Sequence, residues 1–213
     1  MVSILFLACY NSVMCGKRKH RWQQRYLSTD LPWVTNRVDR GLVAIIEAYG
    51  IGPGKVLEIG CGYGNNSVWL AQQGFEVTGI DISAEAIQKA KENASDNDVQ
   101  CEFFTWDFIK NPLSKGPYEF IFDRGCFHSR DFRYKRRTFV KNVFSHLKKG
   151  GYWFSLIGSK DTDATGIGPP RLSALEIVKS VEHRFKILEL KASVFDSDQE
   201  QPRKAWSCLL ERR

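Results

Sequence analysis

Two hydrophobic rhythms alternate along this chain. Short apolar runs rich in β-branched residues, bounded by turn residues, predict buried strands at 55–60, 76–82, 99–106, 118–123 and 151–157. Between them, apolar residues recur at helical spacing. Leu42, Ile45, Ile46 and Tyr49 predict a helix over residues 37–49, ended by Ile51-Gly52-Pro53-Gly54. Asn65 opens a second helix, and Ser83 caps a third with Ile87, Ala90 and Ala94 on one face. Ser173-Ala174-Leu175-Glu176 has the form of a capping box that opens the last helix. Two further strands, 186–195 and 204–210, flank a polar stretch and read as a hairpin. This alternation predicts an α/β fold, a largely parallel sheet with helices on both faces.

With 213 residues the chain fits one domain, placed at 30–213, preceded by a loosely packed arm at 1–29. Residues 1–15 are mostly apolar, and the basic residues follow them, the reverse of a secretory signal. No apolar run reaches the length of a membrane span. Of the six cysteines, Cys61, Cys101, Cys126 and Cys208 fall in or beside strand patterns, and the absence of a C-x-x-C pair points to a reducing cytoplasm and to no metal site. The net charge is +7, with basic clusters at 17–21 and 130–137. No basic-aromatic motif accompanies them, so they read as solvated faces, and no nucleic-acid partner is predicted.

The densest chemistry follows the first strand. In Glu58-Ile59-Gly60-Cys61-Gly62-Tyr63-Gly64, glycines alternate where a strand runs into a helix. Backbone without Cβ atoms can bend sharply there and approach a ligand closely. The spacing is not that of the dinucleotide fingerprint, because Asn65 stands where the third glycine belongs, and no Gly-Lys-Ser/Thr makes it a P-loop. Glu58, an acid at the mouth of the strand, suits a cationic, amino-acid-like ligand better than a pyrophosphate. Asp81 ends the second strand about twenty residues later, where open α/β sheets place a carboxylate for ribose hydroxyls.

These residues, with Asp81-Ile82, Trp106-Asp107-Phe108 and Phe120-Ile121-Phe122-Asp123-Arg124-Gly125, resemble the class I S-adenosylmethionine-dependent methyltransferases over roughly residues 30–213. The resemblance implies a Rossmann-like, seven-stranded, mostly parallel sheet with an antiparallel last strand. It implies S-adenosylmethionine held by Glu58, Gly60, Cys61 and Gly62, by Asp81 on the ribose with Ile82 against adenine, by Asp107 and Phe108 at the adenine edge, and by Asp123 near the methionine end. Leu31-Pro32-Trp33 further resembles the Pro-Trp segment of the thiopurine S-methyltransferase-like group, which lies over the cofactor. Val34 and Asn36 replace the acid and glycine usual there, whereas Asp123-Arg124-Gly125 matches. Trp33 would then face the sulfonium. The implied activity is methyl transfer to a small molecule, such as a thiol or thiopurine sulfur, with Asp123 and Arg124 positioning the acceptor and His128 an optional base. The loop at 160–172 would line the acceptor pocket. The competing readings are an RNA or protein methyltransferase using the same cofactor site, and a cofactor-binding module without turnover.

Overall fold

The structure is a computed structural model that describes residues 19–28, 31, 33–110, 113–129, 135–162 and 170–213. Seven strands form one sheet: β1 (Lys55–Ile59), β2 (Glu76–Asp81), β3 (Cys101–Thr105), β4 (Tyr118–Arg124), β5 (Leu147–Gly158), β6 (Phe185–Val194) and β7 (Lys204–Arg212). Their spatial order is β3-β2-β1-β4-β5-β7-β6, and β7 runs antiparallel to both of its neighbours. The seven-stranded sheet with an antiparallel last strand therefore stands as expected.

Besides a helix at residues 19–26, the helices are α1 (Arg40–Tyr49), α2 (Asn65–Gln72), α3 (Ala84–Asp96), α4 (Arg136–His146) and α5 (Ala174–Val181). Leu42, Ile45 and Ile46 of α1 pack with Val56, Phe120, Phe122 and Phe154 on one face of the sheet. On the other, Phe139 and Val143 of α4 and Ile177 of α5 pack with Leu57, Ile121 and Trp153. Burying each such side chain stabilises the fold by about 1.5–3 kcal/mol. Strand order reverses between β1 and β4, which lie side by side in parallel. Their carboxyl ends open the crevice where ligands bind in open α/β sheets.

The differences from the sequence expectation have local causes. α1 starts at Arg40, three residues late, because Asp39 keeps extended backbone and its carboxylate caps Gly41 N at 2.8 Å. Tyr49 is off the core stripe, 37% exposed. Part of the arm expected to pack loosely does not: residues 19–26 are helical, and Tyr26 is 7% exposed. Residues 1–18 lie outside the described residues. The capping box holds, with Ser173 Oγ accepting from Glu176 N and Glu176 Oε2 accepting from Ser173 N.

Candidate functional site

The turn after β1 is built so that side chains are excluded. Gly60 has φ 73°, in the left-handed region, and a Cβ there would stand 2.2 Å from Cys126 Sγ. Gly60 N and Cys61 N both donate to Ile80 O, at 2.7 and 3.0 Å, which ties the turn to β2. Cys61 turns its side chain away from the crevice into a small core with Ile87, Ala90 and Phe103, so only its backbone belongs to the turn. α2 begins at Asn65, as expected.

Glu58 is buried, and the protein itself holds its carboxylate. Ser67 Oγ donates to Oε2 at 2.5 Å and Asn66 Nδ2 to Oε1 at 2.9 Å. It lines the crevice without projecting into it as an open charge. Burial pushes its pKa up to about 7. Since the folded value exceeds the ordinary 4.5, the stability that neutral Glu58 contributes is fully present below about pH 4.5 and lost as pH climbs through about 7. Glu58→Gln stays neutral, with the Ser67 hydroxyl free to rotate towards it. The stability of the variant relative to wild type, measured by urea denaturation, should rise between pH 5 and about pH 7.5. Parallel pH curves for the two proteins would show that Glu58 does not titrate there.

At the end of β2, Asp81 Oδ1 accepts from Ser83 N at 2.9 Å and Oδ2 from Gly62 N at 3.2 Å. The acid thus joins the glycine turn to the start of α3. Burial raises its pKa to about 6. Ile82 beside it is half-buried. Asp107 lies two residues beyond the end of β3 and accepts from Ile109 N at 3.2 Å. The Phe108 ring is in the core, edge-on to Phe139, and its carbonyl accepts from Asn142 Nδ2.

The end of β4 carries three further candidates. Asp123 is fully buried, and three donors take up its carboxylate: Cys126 N at 3.1 Å, Phe127 N at 2.9 Å and Trp153 Nε1 at 3.0 Å. It holds the turn that follows. Arg124 is equally occupied. Its Nε donates to Asp39 Oδ2 at 2.7 Å, its Nη1 to the Trp33 carbonyl at 3.0 Å and its Nη2 to the Asp196 carbonyl. The Asp196 carboxylate in turn binds Arg37 and Arg40, which hold it well below the usual carboxylate range. His128 is buried beside Phe195, and its Nδ1 accepts from Gly158 N at 3.0 Å. The neutral ring therefore carries its proton on Nε2. Burial and the nearby Arg136 lower its pKa to about 4. Both features oppose its use as a base.

Between these strand ends lies a cavity of about 60 Å³, lined among others by Tyr26, Trp33, Glu58, Gly62, Asn65 and Arg124. Trp33 Nε1 is buried close to the Tyr26 hydroxyl without hydrogen-bond geometry. The Trp33 ring carries the Arg25 guanidinium 4.6 Å from its centroid. An aromatic face already engaged with a cation, a buried acid and a turn without side chains fit the cationic amino-acid end of S-adenosylmethionine. Residues 163–169 of the expected acceptor loop, Pro32 and much of both basic clusters lie outside the described residues. Sequence reading missed Gln23, Tyr26, Asp39 and Asp196. Trp22 and Tyr26, four apart, were the available sign that the arm has a packed face. Among the described residues no group of three or more His, Cys, Asp or Glu is placed to hold a metal ion, and no helix is long and apolar enough to cross a membrane.

The glycine turn, the strand order and the reversal between β1 and β4 are those expected of the class I methyltransferase fold. Residues 56–151 match the family described as "Methyltransferase domain". The chain is 34% identical over 121 residues to ribosomal RNA small subunit methyltransferase C of Alcanivorax borkumensis, covering 54% of this chain and 37% of that relative. It is 28% identical over 167 residues to thiocyanate methyltransferase 1 of Brassica oleracea, covering 75% and 70% of the two chains. In fold it is similar to the N-methyltransferase NodS of Bradyrhizobium japonicum, crystallised with S-adenosylhomocysteine, with a TM-score of 0.71 at 17% identity over 91% of this chain and 98% of that one. The chain spans about a third to a half of the length of the first curated relatives it matches, 37% and 52%.

Proposed function

We propose that this chain transfers the methyl group of S-adenosylmethionine to a small-molecule acceptor carrying a thiol or thiopurine sulfur. The cofactor supplies an electrophilic methyl carbon on a sulfonium. The chain's residues bind it, keep water out and align the acceptor for in-line attack. Gly60 and Gly62 would admit the methionine end against bare backbone, Asp81 would take the ribose hydroxyls, and Trp33 would offer its face to the positive sulfur.

The observation that carries the acceptor class is the commitment of the candidate bases. Asp123 holds its own turn, Arg124 holds Trp33 and Asp39, and His128 Nδ1 is taken by Gly158 N. An acceptor that brings its own anion suits such a site. A thiol does so, because its deprotonation near neutral pH is only mildly uphill. The match of Leu31-Pro32-Trp33 and Asp123-Arg124-Gly125 to the thiopurine S-methyltransferase-like group supports the same reading, as does the thiocyanate, a small sulfur-containing molecule, in the name of the Brassica relative.

The test is release of S-adenosylhomocysteine across thiols, thiopurines, halides, amines, phenols and RNA, followed by a pH–rate profile on the best acceptor. A thiol should win, its rate should rise through the thiol's own pKa, and His128→Gln should keep the rate within a few fold. An amine or phenol whose rate falls roughly 10²–10⁴-fold in His128→Gln would move the assignment to nitrogen or oxygen. Turnover on RNA alone would replace the small-molecule reading.

A further inference from the structure

Three neighbouring side chains of the helix at residues 19–26 rest on three separate features of the cofactor crevice. Gln23 Oε1 accepts from Ser83 Oγ at 3.0 Å, from Ala84 N at 3.0 Å and from Glu85 N at 3.4 Å, which covers the start of α3 just past Asp81. Tyr26 is buried over the glycine turn. Its hydroxyl lies 3.1 Å from where a Cβ on Gly62 would stand, and its ring lies 5.6 Å from that of Tyr63. Arg25 places its guanidinium over Trp33. A cation on the tryptophan, a hydroxyl on the glycine turn and an acceptor at the α3 N-terminus are groups of the kinds that S-adenosylmethionine itself carries. The room left is about 60 Å³, whereas sites for ligands of that size measure roughly 300–1,000 Å³.

We propose that this helix is an internal competitor of the cofactor. Seated, it satisfies the crevice with the protein's own groups and shuts it. The cofactor binds only the fraction of molecules in which the helix has left. The measured dissociation constant is then the intrinsic one divided by that open fraction. Contacts that seat the helix weaken cofactor binding, and removing them strengthens it. The opposite sign holds for a lid that closes over bound cofactor, because its contacts form in the complex. The proposal does not depend on which acceptor is methylated.

The experiment is isothermal titration of S-adenosylhomocysteine into the full chain, wild type and Gln23→Ala. Gln23 is only half-buried, and its side chain touches the protein through these bonds to residues 83–85. The variant should bind about three- to tenfold more tightly, as the open fraction rises. An unchanged or weaker affinity overturns the proposal. Amide hydrogen exchange on the wild-type protein gives an answer that needs no substitution. Saturating S-adenosylhomocysteine should speed exchange at residues 19–28, and slower exchange there would show a lid closing on its ligand.

Discussion

Gly60→Ala should be the most damaging single methyl added to the β1 turn. Two costs coincide at that position. The left-handed backbone, φ 73°, costs an L-residue about 1–2 kcal/mol. The new Cβ, placed 2.2 Å from Cys126 Sγ, forces overpacking worth about 1–3 kcal/mol. The sum, roughly 2–5 kcal/mol, is a large share of the stability of a domain this size. Gly50 separates the two costs, since it also has positive φ, 58°, but meets nothing within 4 Å. Gly50→Ala should show only the backbone part. Cys126→Ala in the Gly60→Ala background should recover the contact part and leave the rest. Urea midpoints at constant m-value measure all of these. Equal losses at the two glycines would show that Cys126 simply swings aside.

Asp81→Ala should give the largest loss of cofactor binding. Charge-assisted hydrogen bonds to the ribose are worth about 1.5–3 kcal/mol, which is roughly a 10- to 150-fold rise in the dissociation constant for S-adenosylhomocysteine. Part of the effect will come through the turn, because the same carboxylate holds Gly62 N and Ser83 N. Asp81→Asn keeps one acceptor oxygen and should fall between wild type and alanine. The carboxylate must be ionised to bind hydroxyls strongly, and burial sets its pKa to about 6. Wild-type affinity should therefore weaken as pH drops below about 6, and the alanine variant should lack that dependence. A dissociation constant unmoved by Asp81→Ala would reduce the residue to a brace between β2 and α3.

The parts of this molecule that were legible in its sequence are those in which chemistry and local structure coincide. Alternating glycines have few uses other than a tight turn, so the β1 turn and the start of α2 could be read directly. Apolar periodicity likewise located every strand to within a few residues. The end of β4 could not be read that way. Asp123, Arg124 and His128 have the same local signature whether they face a substrate or hold the protein together. The partners that decide the matter are distant in sequence: Trp153 for Asp123, Asp39 and the Asp196 carbonyl for Arg124, Gly158 for His128. The strand-end acids were expected as cofactor ligands. Asp81, Asp107 and Asp123 each also accept a hydrogen bond from a backbone amide of the turn that follows, because a carboxylate drawn into the fold needs donors and the nearest ones are backbone amides. Asp196 carried no signal at all, being one polar residue in a polar connection.

The bonds that meet at Arg124 also bear on the order in which the chain acquires a working crevice. The Trp33 wall is pinned by an arginine about ninety residues later and by a carbonyl some seventy residues beyond that. Residues 56–151, the stretch matched to the family, contain the glycine turn and Arg124 but neither the wall nor its far anchor. Emerging from a ribosome, the chain would complete the turn early and leave the Arg124 guanidinium, which tethers Trp33, without its far anchor until the connection after β6 had been made. Closing so long a loop adds little to the equilibrium cost but delays the contact. Loss of the Asp196 carbonyl would free one arm of the Arg124 guanidinium that holds Trp33, so damage near the last hairpin would be felt at the opposite end of the sequence.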